Sequence, residues 1–132
     1  MLKLSQETID QEEELIRQSI SQLSDNERKE YFHTVKSQIK DPDTYAVLNC
    51  FFMAGLHHFY LGYWLRGCVH LSVFIVGLAL FFAGLELLGV LIIVGISIIE
   101  LSALFQSQLI VQNYNNQVMQ KALDELRKFK TK

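Results

Sequence analysis

The middle of the chain is far more apolar than either end. Three apolar stretches, at residues 45–56, 68–82 and 87–105, follow one another, and Glu100 is the only Asp, Glu, Lys or Arg within them. A helix that crosses a bilayer needs about 20 consecutive, mostly apolar residues. The third stretch nearly reaches that length, and the first two are shorter. The pattern predicts an all-α fold with an integral membrane helical hairpin or three-helix unit at residues 42–106.

The N-terminal residues 1–41 have the spacing of amphipathic helices. Ile9, Ile16, Ile20 and Leu23 follow one another at helical intervals, which places them on one face of a first helix. The acidic residues of the same segment then remain on the solvated face. This face predicts packing against another helix outside the membrane.

A second amphipathic helix follows a local start signal. The segment Ser24–Glu27 has the form of a capping box, in which the serine side chain and the glutamate side chain each bond a free backbone amide. The helix after it carries Phe32, Val35 and Ile39 on one face. Pro42 ends this helix, because proline disfavours the helical conformation of the preceding residue, and it suits the first turn of the next helix.

Beyond the last apolar stretch the chain becomes polar without a glycine or proline. This predicts one helix from about Leu87 to Lys128, and its polar part, within residues 107–132, extends by roughly 1.5 Å per residue. Residues spaced by three and four form a possible coiled-coil seam with two adjacent polar positions. Self-association and packing against N-terminal helices of the same or a neighbouring subunit explain the seam equally well. Its members are Phe105, Leu109, Gln112, Asn116, Met119, Leu123 and Leu126.

Charge is distributed unevenly along the chain. The net charge is −4 for residues 1–44, −1 for residues 45–105 and +3 for residues 106–132. Lysine and arginine near the ends of membrane spans favour the cytoplasmic side. They flank the apolar centre on both sides, which predicts cytoplasmic termini and an even number of crossings. A three-span protein with its ends on opposite sides is the alternative.

Several functional classes have no support in the sequence. It contains no glycine-rich phosphate loop and no nucleophile motif, and no basic surface accompanies its aromatic residues. Cys50 and Cys68 form no CxxC pair, and we expect both to be small buried apolar residues. We therefore predict no catalytic residue, no cofactor and no nucleic-acid partner.

Small residues occur throughout the apolar centre. Gly77, Gly89 and Gly95 lie within the second and third stretches, and Gly84 lies between the two. Glycine in a membrane helix permits the close approach of another helix. We expect close packing at the first three positions, with a gating or lipid-contact role as the alternative, and a turn at Gly84.

A polar, aromatic patch with the sequence GLHHFYLGYWLRG interrupts the apolar centre between Gly55 and Gly67. Tyrosine and tryptophan favour the membrane–water interface, because each has an apolar body and a polar group. The patch therefore predicts an interfacial turn, and a lipid or ligand pocket is the alternative. Its aromatic residues are Phe59, Tyr60, Tyr63 and Trp64.

Two features of the apolar centre could carry chemistry. His57 and His58 are adjacent, so on a helix they point about 100° apart and do not form the i, i+4 pair that binds metals; we predict no metal site. Glu100 is an ionisable group in an apolar stretch, where charge is costly. It could reach water at the interface, form a polar tie with Arg66 or a histidine, or line an ion or proton path.

Residues 44–106 resemble the two-transmembrane domain family, also called the TM-two domain. Bacterial members of that family carry a G-x-H-R-F-Y-L-G signature after a glycine-rich first helix and an acidic residue in a second helix. In this chain His58 replaces the usual arginine, Glu100 replaces the usual aspartate, and the interval between Gly67 and Glu100 is long for one crossing. The matching residues are Gly55, His57, Phe59, Tyr60, Leu61, Gly62, Gly67 and Glu100.

The resemblance implies a small helical module of the bacterial inner membrane rather than an enzyme. We therefore expect a non-enzymatic integral membrane protein that oligomerises or scaffolds a membrane complex. Its partners would be the lipid bilayer and further copies of itself or another membrane protein. The alternative is an oligomeric channel or transport-like pore with Glu100 near the path.

Overall fold

The computed structural model describes residues 5–51 and 55–130. These residues form seven α-helices and no strand, which confirms the all-α prediction. They divide into two compact units, one combining the N-terminal segment up to Lys40 with the C-terminal segment from Leu109, the other formed by residues 41–108. The helices are α1 (Gln6–Ser21), α2 (Asp25–Lys36), α3 (Pro42–Phe51), α4 (Leu56–Tyr60), α5 (Trp64–Phe82), α6 (Glu86–Phe105) and α7 (Ser107–Lys130).

The first unit packs α1 and α2 against α7. The predicted capping box is present at the start of α2: Ser24 Oγ accepts from the Glu27 amide, and Glu27 Oε2 accepts from the Ser24 amide at 2.8 Å. Val35 lies in the core as expected, but Phe32 is 53% exposed, and Tyr31 takes its place inside. The buried residues of the core are Ile16, Tyr31, Val35, Ala122 and Leu123.

The seam of α7 faces the N-terminal helices of the same chain. Asn116 is buried, and its amide Nδ2 donates to the carbonyl oxygen of Ile9 at 2.9 Å. Gln112 Nε2 donates to side-chain oxygens of Asp10 and Glu13. The seam therefore packs within the chain, because its polar residues Gln112 and Asn116 form hydrogen bonds with α1.

The predicted uninterrupted helix from Leu87 to Lys128 is wrong. Helix α6 ends at Phe105, Gln106 adopts a non-helical conformation with φ −102° and ψ 11°, and α7 begins at Ser107. Phe105 is 83% exposed and takes no part in the core that contains Leu123. No glycine or proline marks this interruption, so the residue pattern alone did not reveal it.

The second unit begins with α3, which starts at Pro42 as predicted. Asp41 precedes it, and its Oδ2 accepts from the backbone amide and the hydroxyl of Thr44, each at 2.7 Å. These hydrogen bonds lower the pKa of Asp41, with the hydroxyl of Thr44 as the largest cause. The described part of this helix has 10 residues, which at about 1.5 Å per residue covers about half of a bilayer core of about 30 Å.

Helices α5 and α6 form a hairpin. The turn between them contains Gly84, whose φ of +87° strongly favours glycine. A Cβ atom on Gly89 would lie 2.6 Å from the backbone nitrogen of Phe81, and one on Gly77 would lie 2.8 Å from Cγ1 of Ile93. The close packing expected at these two glycines is therefore present inside the hairpin.

Most of the hairpin's apolar surface is exposed. Both helices are long and apolar enough to cross a membrane, and only 11% of the span in α5 and 17% of that in α6 is buried within the protein. A Cβ atom on Gly95 would meet nothing within 4 Å, so this glycine is not used within the chain. Cys50 and Cys68 are also exposed free cysteines, which corrects the expectation that both are buried.

Candidate functional site

A buried glutamate on α6 faces histidines from two other helices. Glu100 is 1% exposed, His57 of α4 is 0% exposed, and the carboxylate Oε2 lies 3.1 Å from the ring Nε2. His70 of α5 contacts the other carboxylate oxygen, Oε1, through its Nδ1. One carboxylate therefore joins three helices of the second unit.

Glycines allow the short helix α4 to approach α5. Gly55 precedes α4 with φ +85°, and a Cβ atom on it would lie 2.8 Å from Cβ of His70. A Cβ atom on Gly67 would lie 2.7 Å from the ring of Phe59. Gly62 follows α4 with φ +76° and meets nothing within 4 Å, so it serves the turn rather than the packing. The signature glycines therefore position the histidines.

His58 lies beside the same carboxylate. Its ring centroid is 4.1 Å from that of His57 and 4.7 Å from that of His70. One nitrogen from each of His57 and His58 and one oxygen of Glu100 all lie within 4.8 Å of one another. The two rings therefore lie close together, although the helical spacing of adjacent residues suggested that they would point about 100° apart.

Several polar atoms of the site have no hydrogen-bond partner. These atoms are buried, and the 3.1 Å approach between His57 and Glu100 does not have hydrogen-bond geometry. A buried polar group without a partner costs about 1–3 kcal/mol of stability. The unpartnered atoms of the site are Nδ1 and Nε2 of His57, Nε2 of His58 and Oε2 of Glu100.

Both histidines of α4 are neutral near neutral pH. Burial lowers the pKa of His57 to about 3, and the neighbouring rings of His58 and His70 act in the same direction. Burial also lowers the pKa of His58 to about 4, with further contributions from His70 and Arg66. The contact between His57 and Glu100 is therefore one between a neutral imidazole and a carboxyl group, and both rings keep a free lone pair.

Helix α3 adds two residues that the sequence reasoning missed. The Tyr45 ring packs edge-on against His57 at 4.9 Å, and Asn49 Nδ2 donates to the backbone carbonyl oxygen of Glu100 at 2.9 Å. Burial raises the pKa of Tyr45, and Glu100 raises it further. A usable signal was present, because Tyr45 and Asn49 are polar residues one helical turn apart in an otherwise apolar stretch.

Arg66 does not take part in this cluster. It is exposed, and its guanidinium lies 5.5 Å from the centroid of the Tyr63 ring. Among the described residues, the polar contacts of the Glu100 side chain are with histidines and not with Arg66. Of the partners that the sequence suggested for Glu100, histidines contact its carboxylate and Arg66 does not.

The remaining signature residues support the turn. Phe59 lies against Trp64 with ring centroids 5.3 Å apart, and Leu61 is 3% exposed. The Tyr60 hydroxyl accepts from the Asp41 amide at 3.0 Å, which links the end of α4 to the start of α3. These aromatic side chains link α4 to α5 and to the start of α3.

Comparisons with known protein families, with curated proteins and with solved structures found no match to this chain. The resemblance to the two-transmembrane domain family remains a prediction from its motif.

Proposed function

We propose that this chain is a non-enzymatic integral membrane protein that self-associates through its α5–α6 hairpin and scaffolds a membrane complex. The observation that carries the proposal is the apolar outer surface of the hairpin, which the chain itself leaves uncovered. Contiguous exposed apolar surface of this extent marks contact with a membrane or a protein partner. Helices also satisfy their own backbone hydrogen bonds, as a lipid environment requires.

The first unit supports two crossings rather than three. Residues 5–40 and 109–130 pack into one core, so they occupy the same aqueous compartment. A chain whose two flanks share one compartment crosses the membrane an even number of times. Helices α5 and α6 supply two crossings, while α3 and α4, as far as the structure describes them, are too short to add a third.

The basic residues favour a cytoplasmic position for the first unit. Lys36 and Lys40 precede the apolar helices and Lys121 follows them, whereas the turn around Gly84 has only the acidic Glu86 nearby. The positive-inside rule then places both termini in the cytoplasm and this turn on the other side. The inner membrane of a bacterium is the location that the motif resemblance favours.

Gly95 supports contact with a second copy. Gly77 and Gly89 lie at the contact between α5 and α6 inside the hairpin. Gly95 is exposed, and a Cβ atom on it would meet nothing within 4 Å. Small residues are common where membrane helices meet, because they let two backbones approach closely. We propose that the face of α6 around Gly95 meets another copy of the chain.

A pore lined by both Gly95 and Glu100 has less support. Five positions along a helix correspond to a rotation of about 140°. Glu100 is buried among the histidines, whereas Gly95 is exposed, so one path would not meet both.

Membrane extraction combined with disulfide crosslinking tests the proposal. The protein should stay in the membrane fraction when the membranes are washed with alkali. With Cys50 and Cys68 replaced by serine, Gly95→Cys should give a crosslinked dimer in these membranes. Val90→Cys is the matched control, because Val90 is also exposed on α6 but on a different face. Release of the protein by alkali, or equal crosslinking in the two variants, would contradict the proposal.

A further inference from the structure

We propose that His57, His58 and Glu100 form a binding site for a divalent transition metal ion of the zinc type. One ligand atom from each of the three side chains lies within 4.8 Å of the other two, and the residues belong to helices α4 and α6. This site is independent of the proposed self-association, because all three residues belong to one chain.

The spacing of the donor atoms suits a small tetrahedral ion. Two ligands of tetrahedral zinc, each about 2.0–2.1 Å from the ion, lie roughly 3.3 Å apart. The Nε2 atom of His57 and the Oε2 atom of Glu100 are 3.1 Å apart, which is close to that value. The third donor, on the half-buried His58, lies within 4.8 Å of the other two, so it would move closer to them when an ion binds.

The unpartnered atoms of the cluster are the ones that a metal would bind. His57 is fully buried with neither ring nitrogen hydrogen-bonded, and Nε2 of His58 and Oε2 of Glu100 are buried without a hydrogen-bond partner as well. Buried polar groups in proteins normally have such a partner, so unpartnered ones call for an explanation, and the binding of an ion is one. A metal ion would satisfy one atom on each of the three side chains.

His70 has the position of a supporting residue rather than a ligand. Its Nδ1 contacts Oε1 of Glu100, which leaves Oε2 directed at His57. Carboxylates that bind metals are commonly oriented by such a second hydrogen bond. His70 would therefore fix the carboxylate for the ion.

The donor types select the class of metal. Imidazole nitrogen suits Zn²⁺, Co²⁺, Ni²⁺ and Cu²⁺, whereas Ca²⁺ and Mg²⁺ favour sites made of oxygen atoms. Two imidazoles with one carboxylate are a known zinc ligand set that leaves a fourth position for water. An ion here would link α4 directly to α6 and fix the turn against the hairpin.

Zn²⁺ titration of the full chain in lipid nanodiscs, carrying a tag without histidines, tests the site. We expect one ion per chain by calorimetry, and Co²⁺ should give the intense absorption of a tetrahedral site. His57→Gln, His58→Gln and Glu100→Gln should each weaken binding more than about 100-fold, and His70→Ala by about 10–100-fold. His33→Gln is the matched control, because His33 is exposed on α2 and should not change binding.

X-ray absorption of the zinc-bound wild type tests the site without any variant, so it does not depend on whether a variant folds. It should show imidazole scattering from two histidines. The proposal is overturned if the wild type binds no stoichiometric zinc, if the bound ion has no imidazole ligands, or if folded variants bind zinc as the wild type does.

Discussion

Glu100 and His57 lie against each other inside the second unit, with 3.1 Å between carboxylate Oε2 and ring Nε2 and almost no exposure of either side chain. This relationship connects the last apolar helix to the turn that carries the two adjacent histidines. Asn49 and His70 contact the same glutamate from two further helices. Glu100 is thus the point at which α3, α4, α5 and α6 meet.

Replacing Glu100 by leucine should destabilise the protein. The change removes the carboxylate that the Nδ1 of the half-buried His70 contacts, and the loss of one such hydrogen bond costs about 0.5–1.5 kcal/mol. Reversible unfolding in detergent, followed by helicity, measures the loss. Glu86→Leu is the control, because Glu86 is exposed in the first turn of α6 and should leave the free energy of unfolding nearly unchanged. Equal effects of the two substitutions would contradict a specific role for Glu100.

Stability should fall as the pH drops below the ordinary pKa of histidine. The pKa of His57 is lowered from 6.5 to about 3, so between these values the unfolded chain binds a proton that the folded chain does not. Unfolded protein is then favoured as pH decreases through this window. Tyr45, His58 and Glu100 contact the ring, and His70 acts on it electrostatically.

Melting temperatures recorded in detergent with a metal chelator, from pH 7 down to pH 5, test this dependence. His57→Phe keeps an aromatic ring beside Tyr45 but removes the titrating group, so its melting temperature should vary less with pH. An identical slope in wild type and variant would show that His57 does not cause the effect.

Gly89→Ala should disrupt the hairpin. The added Cβ atom would lie 2.6 Å from the backbone nitrogen of Phe81 and 2.7 Å from the carbonyl oxygen of Gly77, and backbone atoms cannot yield as a flexible side chain can. Overpacking of this kind costs about 1–3 kcal/mol. Thermal unfolding in detergent should show a clear loss.

Gly95→Ala is the matched substitution on the same helix. Its Cβ atom meets nothing within 4 Å, and alanine favours helix more than glycine does, so the subunit fold should persist or become slightly more stable. A loss as large as that of Gly89→Ala would contradict the assignment of these two glycines to different faces.

Local sequence patterns predicted where the helices lie along the chain better than they predicted which helices pack against each other. Apolar length and spacing indicated α5 and α6, the Ser24 capping box marked the start of α2, and Pro42 marked the start of α3. Each of these signals acts over one or two helical turns. The break at Gln106 has no such local signal, which is why the continuous helix was wrong.

The composition of the polar cluster depended on contacts distant in sequence. Arg66 and His57 were equally available partners for Glu100 from the residue pattern, and only the packing of α4 between its neighbours separates them. The same packing brings Tyr45 and Asn49 to the cluster. Sequence spacing places residues on a helix face but does not specify which helix that face meets.

The most direct test of the proposed assembly is the native mass of the protein released from membrane nanodiscs. We predict a complex containing more than one copy of the chain for the wild type. Gly95→Leu should shift the mass to that of a single copy, while Val90→Leu, on another exposed face of α6, should keep the assembly intact. A wild-type mass of one chain would contradict the account.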